Sequence, residues 1–504
     1  MIDAASTANL ALVHSPTLLL AGAAATLLMV TTSLRTKAMM AMPALLLVGW
    51  LVVHHQSSTM RAVPDAIVFL VLAHFVWELV TNQIRISWTR PYVVLVLMFA
   101  AAVLIQTWNP IIRAVGGAST GARSYLAPMS MFLIGLAVMR TASDARALLK
   151  VLVATTVVVD GYMLKQLVLG FDAAERRYWS NSSAGVLTEH KLFSTLVSPD
   201  DYGLIAAVLA IACLAAHSAR IWPRLSLLAG LVSMLGAAAS GVRINLVALL
   251  AAASVYLLAQ LSYRDTGRFA LGALVVGAAA LLVLGMSVAA TAPQPRYAIG
   301  VNHNPLATEV AKLALLKQGT ADADIASRVV RARDFLSYMV HHPWGAGPSV
   351  IDALNQSSLT NAGAAALIPG GGAPPPQASP PPRLPTYMID QPWIFQHDYF
   401  FIDAGVELGA IPLLLFVTIL LVGFVLAFEA VRSRAAEPEV RALLGLSGAA
   451  AVALLIANLT NEAFRTVEVA GPLWFLLAMP VAFALPRPSA PCHPDLVRQP
   501  ASSA

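Results

Sequence analysis

Apolar runs of about twenty residues alternate with short polar connections along most of the chain, and one long polar stretch, 291–403, interrupts them. A run of ~20 residues is what an α-helix needs to cross a hydrocarbon core of ~30 Å. Inside lipid such runs must be helical, because each backbone amide has to find its partner within its own segment. The pattern predicts spans near 16–33, 38–54, 66–81, 91–107, 124–140, 147–170, 199–217, 222–240, 243–262 and 269–289. Three more are expected after the long loop, near 404–430, 440–458 and 467–485. The fold class expected is all-α, a polytopic membrane helix bundle of about 12–13 transmembrane helices with a large external loop containing short helices.

The chain divides accordingly. Residues 1–170 carry the N-terminal spans, 171–290 further spans with arginine-bearing external loops, 291–403 the large loop, 404–486 the last spans and 487–504 a tail. Within the loop, 361–385 is rich in Gly, Ala and Pro. Glycine loosens the backbone and proline runs favour extended geometry, so this insert is expected to be mobile and without chemistry.

Composition supports this class. Hydrophobic residues make up 58% of the chain and charged residues 12%, the latter about half the ~25% usual for soluble domains. Mean hydropathy is +0.73. The charges are distributed unevenly. Alternate connections hold Arg35/Lys37, Arg85/Arg90, Arg140/Arg146/Lys150, Arg220/Arg224, Arg264/Arg268 and Arg432/Arg434/Arg441, and the tail adds Arg487 and Arg498. The positive-inside rule places these in the cytoplasm. Most opposite connections carry a single cation, such as Arg61, Arg243 or Arg465, while 108–123 and 171–198 are basic yet external. Residues 1–15 hold Asp3 and no Lys or Arg, so no basic region of a cleavable signal precedes the first span. The expected topology starts outside and ends inside. The net charge of +6 and pI near 9.4 reflect that asymmetry and imply no nucleic-acid partner.

The external segments carry the candidate chemistry. Cys213 lies in a span and Cys492 in the tail, and no CxxC, HExxH, P-loop or dinucleotide fingerprint is present. In 325–341, Ile325, Val329, Ala332, Leu336 and Met339 share a helical face. Arg328 and Arg333 flank this stripe, Arg331 lies further round, and Pro343 and Gly345 end the helix. Two readings stand: an interfacial helix whose arginines snorkel to lipid phosphates, or a helix aiming one arginine, Arg328 foremost, into a substrate pocket. Arg176 and Arg177 precede the span that opens with Ser198-Pro199-Asp200-Asp201, and Arg243 sits in the short turn SGVRIN. A lone arginine at a helix end is ordinarily an anchor, but here the exceptional external charge converges. His397, beside Asp398, lies just before a span and can accept a proton at neutral pH with its ordinary pKa of ~6.5. His341 and His342 suit a turn before Pro343. Asp160, Lys165, His74 and Glu78 lie in or near spans, where ionisable groups either serve function or pair with one another.

At these residues the chain resembles the O-antigen ligase and polysaccharide polymerase superfamily of bacterial inner-membrane glycosyltransferases. SGVRINLVALLAAASVYLL (240–258) is similar to that family's SGSRGALLALL-type run, with Arg243 on its arginine. His342-Pro343-Trp344-Gly345-Ala346-Gly347 fits its HP-x-x-G-x-G motif, and Arg328 stands fifteen positions before Pro343, similar to the family's spacing. Gln396-His397-Asp398 followed by Glu407-Leu408-Gly409 resembles its HN…E-x-G segment, and Ser198-Pro199-Asp200 its N-P-N, with Arg176 or Arg177 as the associated arginine. The likeness covers roughly 170–480. It departs at Asp398 and Asp200, where the family has Asn, at Ala332, where it often has Trp, and in the Pro/Gly insert.

The resemblance implies transfer of a glycan from an undecaprenyl diphosphate carrier to an acceptor hydroxyl on the periplasmic side of a bacterial inner membrane. The acceptor would be another glycan, a lipid A core or a protein, and polymerase and ligase stay equally open to the chemistry, with polymerase slightly favoured. The residue types suit this reaction. Arg176, Arg177, Arg243 and Arg328 would hold the diphosphate, since guanidinium forks pair bidentately with phosphate and stay charged. His397 would take the acceptor proton, with Asp398, His342 and Glu407 in support. A diphosphate leaves without a proton, so no second carboxylic acid is needed. The expectation is an inverting, metal-independent transfer with no cofactor. The rival class is a transporter or lipid-linked glycan flippase, for which Asp160 and the His74/Glu78 pair are the hints.

Overall fold

The computed structural model describes residues 32–56, 58–84, 86–110, 112, 118–181, 192–260, 335, 338–348, 350, 400–433, 437–459 and 466–484. Among them every regular element is a helix. In chain order these are α1 (Leu34–His55), α2 (Ser58–Arg61), α3 (Val63–Val80), α4 (Pro91–Gln106), α5 (Ala118–Val138), α6 (Ala142–Leu169), α7 (Ala173–Asn181) and α8 (Pro199–Ser218). They continue with α9 (Pro223–Ala239), α10 (Arg243–Gln260), α11 (Phe400–Leu408), α12 (Ala410–Ser433), α13 (Pro438–Ala457), α14 (Val467–Leu477) and α15 (Met479–Ala482).

Local chemistry sets where they begin. Ser33 caps α1 by accepting from Thr36 N, and Ser198 caps α8 by accepting from Asp201 N at 3.0 Å. Thr141 and Asp144 form a reciprocal capping box at the head of α6. Proline occupies the first turn of α4, α8, α9 and α13, where its missing N–H costs no hydrogen bond.

Seven of these helices are long and apolar enough to cross a membrane, and α4, α9, α10 and the α14–α15 segment are shorter apolar helices. Helix α8 forms the centre. It packs against α6, α9, α10 and α13, and 83% of its apolar window is buried. Its alanines, including Ala206, Ala207, Ala210 and Ala212, let neighbouring backbones approach closely, the usual source of helix association in lipid. By contrast only 28% of α3 and 33% of α12 is buried, so these present apolar faces outward. A second packing centre surrounds Trp474, whose ring lies 6.2–6.4 Å from Phe99, Phe132 and Phe416.

The bundle has two chemically distinct ends. At one, Arg35 pairs with Asp144 at 2.5 Å, Arg146 with Glu439 at 2.7 Å, and Gln260 donates to Arg441 O at 3.2 Å. Lys150 lies over the Trp222 ring, between Arg220 and Arg224 in sequence. Among the described residues, this end holds Arg35, Arg146, Lys150 and Arg441, from connections that the charge rule assigns to the cytoplasm. At the other end, Gln56 donates to Ala174 O, Asn109 to Gly345 O, Asn245 to Asp200 O, and Thr466 to Asp201. Exposed tryptophans mark both ends, Trp77, Trp88 and Trp222 at the first and Trp50, Trp108 and Trp344 at the second, as expected at membrane–water boundaries.

The helices match the expected spans closely, with two differences. The run 404–430 is not one helix: α11 ends at Leu408 and α12 starts at Ala410, with Gly409 between them at φ +91°. The run 467–485 is likewise divided, α14 giving way to α15 at Ala478, where Pro480 enters the first turn. The spans near 16–33 and 269–289, most of 291–403, the 361–385 insert and the tail lie outside the described residues.

The arrangement predicts a sidedness experiment. With both native cysteines replaced, Arg61→Cys is expected to react with an impermeant maleimide from one face of the membrane and Arg224→Cys from the opposite face. Labelling of both from the same face would contradict the two-ended bundle.

Candidate functional site

The break at Gly409 builds the first part of the site. A helix leaves its last carbonyls and first amides without intrahelical partners. Here the HPWGAG loop supplies them: Ala346 N donates to Val406 O at 2.8 Å, Gly347 N to Glu407 O at 2.7 Å, and Ala410 N donates to Pro343 O at 2.8 Å. Two glycines make this contact possible. Gly345 has φ +65°, and a Cβ there would lie 2.5 Å from Gly409 N, while a Cβ on Gly409 would lie 2.4 Å from Pro343 O. The His342-to-Gly347 and Glu407-to-Gly409 motifs are therefore one unit, joined backbone to backbone. Phe335, Tyr338, Met339, Ala346, Val350 and Val406 pack with Ile112 beneath it.

Side chains from earlier helices complete this unit. Glu407 is fully buried and accepts from Tyr125 Oη at 2.9 Å. Asn109 bridges Gln106 Oε1 and Gly345 O, each at 3.1 Å. The His342 ring lies 4.9 Å from that of Tyr338, one helical turn earlier, tilted by 41°. Burial, and then the neighbouring His341, hold the His342 imidazole below its ordinary value, which favours the neutral form at neutral pH.

The second part joins SGVRIN to SPDD. Asn245 Nδ2 donates to Asp200 O at 3.1 Å, and a Cβ on Gly203 would lie 2.3 Å from Asn245 Nδ2 and 2.5 Å from Ser240 Oγ. Arg243 thus opens α10 beside the head of α8. The start of α14 closes on the same point, where Thr466 Oγ1 donates to Asp201 at 3.2 Å. Glu468 is within electrostatic reach of both Asp201 and Asp65, and Asp65 lies 3.6 Å from Arg123, two residues before Tyr125. The first turns of α5 therefore connect the two parts at one end of the bundle.

Arg176 and Arg177 stand at that end on α7, both exposed, with Arg176 donating to Phe171 O. Helix α7 begins in a reciprocal box, Glu175 N donating to Asp172 Oδ1 at 3.0 Å and Asp172 N to Glu175 Oε2 at 2.6 Å. His54 and Lys165 also reach Asp172, at 3.2 and 3.0 Å. Burial opposes the charged form of Asp172, but the Glu175 N–H, Lys165 and His54 outweigh it and hold the carboxyl well below its usual range.

Sequence reasoning missed Tyr125, Asn109 and this anchor under α7. The Asp172-x-x-Glu175 spacing carried the capping-box signal; nothing local announced Tyr125 or Asn109. Of the residues read as site candidates, Arg176, Arg177, Arg243, His342 and Glu407 are placed at one end, whereas Arg328, His397 and Asp398 lie outside the described residues. Asp160 accepts from Ser233 at 3.3 Å inside the bundle, and His74 is bonded to Glu78 at 2.9 Å and to Lys37. Among the described residues no group of three or more His, Cys, Asp or Glu side chains is arranged to hold a metal ion. Comparisons with family models, curated proteins and solved structures return no match.

Two outcomes follow. Tyr125→Phe strips the phenol from a buried carboxylate and is expected to lower stability by about 1–3 kcal/mol in thermal unfolding in detergent, whereas Tyr92→Phe, remote from this unit, serves as a control. Acid should loosen α7 late. Because the Asp172 carboxyl is depressed, its contribution is intact above the unfolded value of ~3.9 and fades only as pH falls further, toward the folded value. The mobility of a nitroxide attached at Ala173→Cys before the titration should stay constant from pH 7 to about 5 and rise only in stronger acid.

Proposed function

We propose that the protein is a glycosyltransferase that moves a glycan from an undecaprenyl-diphosphate-linked donor to an acceptor hydroxyl at the periplasmic face of a bacterial inner membrane. It would act as a polymerase or a ligase of the O-antigen ligase superfamily. The observation that carries this reading is co-location: the His342-to-Gly347 loop, the Glu407-Leu408-Gly409 break, the Ser198–Asp201 helix head and the Arg243 turn all lie at one end of the bundle. They are far apart in sequence; alternation of the spans puts them on one side, and the bonds from Ala346, Gly347, Ala410 and Asn245 join them in two pairs.

In the mechanism this supports, the acceptor oxygen attacks the anomeric carbon as the bond to the diphosphate oxygen breaks, inverting that carbon. The electron pair leaves with the diphosphate, where Arg243, Arg328 and the Arg176–Arg177 helix would receive its charge. The acceptor proton would pass to His397. The site unit formed by His342-to-Gly347 and Glu407 would hold the segment that delivers His397 next to the membrane. A transporter would need a charged path at mid-bundle, but Asp160, His74 and Glu78 already have side-chain partners within the helix packing.

Transfer from a defined polyprenyl diphosphate oligosaccharide by the purified protein tests the reading. Arg243→Ala and His397→Ala are each expected to lower kcat/KM by roughly 10²–10³ while inserting normally. Arg243→Lys should recover little, because an ammonium lacks the planar fork, and chelator should leave activity unchanged. Full activity in both alanine variants would overturn the assignment.

A further inference from the structure

We propose that Glu175 is a positioning residue that fixes α7 so that Arg176 and Arg177 form a preorganised clamp for the donor's diphosphate; this rests on the transferase reading above. Glu175 is fully buried although it sits on a nine-residue polar helix next to two exposed arginines. Both its oxygens are doubly engaged. Oε1 accepts from Tyr162 Oη and Gln166 Nε2, each at 2.7 Å, and Oε2 from Lys165 Nζ at 2.7 Å and Asp172 N at 2.6 Å. Four donors fill a carboxylate's ~4 lone-pair sites. A helix cap needs only one of them, so three donors from α6 serve something else.

What they fix is direction and charge. With ~100° per helical residue, an inward Glu175 turns Arg176 and Arg177 toward the outer flanks. A helix of nine residues does not hold itself in water, so the arginines' geometry depends on this anchor. Gln56 Nε2, donating to Ala174 O at 3.3 Å, and Tyr178 Oη, donating to Val197 O at 3.2 Å, tie the two ends of the helix to α1 and to the head of α8. Lys165 pairs with both Glu175 and Asp172, so it offsets one of the two negative charges beneath the arginines.

Binding of farnesyl diphosphate to the full chain in phosphatidylcholine nanodiscs tests this separately from transfer. Glu175→Gln is expected to weaken binding about tenfold, and Arg176→Ala/Arg177→Ala at least as much. The triple variant should be no weaker than the arginine double, since Glu175 acts through that pair. Tyr162→Phe, which removes one donor, should give a smaller loss in the same direction and serves if Glu175→Gln does not fold. Additive losses, or unchanged affinity in Glu175→Gln or in the arginine double, would overturn the proposal. So would loss of the mutant effects when phosphatidylglycerol replaces phosphatidylcholine, which would make lipid headgroups the ligand. Binding with these sensitivities but no glycan transfer would sink the transferase reading and leave the clamp standing. Transfer with unaltered binding in Glu175→Gln would do the reverse.

Discussion

The candidate site depends on one exchange of backbone hydrogen bonds. A helix interrupted near a membrane boundary leaves carbonyls and amides that neither lipid nor side chains readily satisfy. The chain breaks at Gly409 and satisfies these groups from a loop some sixty residues earlier, Ala346 and Gly347 donating to the end of α11 and Pro343 accepting from the start of α12. Because the bonds are backbone to backbone, the loop can sit only where both partners lack a Cβ at the crossing, as at Gly345 and Gly409. The motif glycines are thus a steric requirement of docking. Asn109 on Gly345 O and Tyr125 on Glu407 are packed around that exchange.

Local pattern carried most of the fold. The expected spans 199–217 and 243–262 fall on Pro199–Ser218 and Arg243–Gln260, and the caps at Ser198 and Thr141 have the residue types that begin helices. The break at Gly409 was not legible in the same way, because hydropathy runs on across it and the cause is pairing with a distant loop. Tyr125 and Glu407 are 282 positions apart, and Asn109 and Gly345 are 236 apart. No periodicity over a short window can report such partners. The anchor of α7 was half legible. Asp172 and Glu175 have capping-box spacing, and Tyr162, Lys165 and Gln166 share a helical face, but that the two would meet depends on the turn at Gly170–Phe171.

The same end of the bundle treats its two kinds of charge differently. Acidic side chains turn inward: Glu407 to Tyr125, Glu175 to α6 and Asp201 to Thr466. Each finds a donor, as a polar group removed from water must. Arg176 and Arg177 instead face outward on an anchored helix. Acids committed to internal donors stiffen the scaffold and are shielded from an arriving anion, while guanidinium groups keep their field where such an anion would approach. A surface with both signs interspersed would gain less. An arriving diphosphate would then have to displace carboxylates already paired to the arginines, and much of the attraction would be spent on that exchange. In the transferase reading, separation of charge by direction would let this end of the bundle select for negative ligands without a large net charge on the chain.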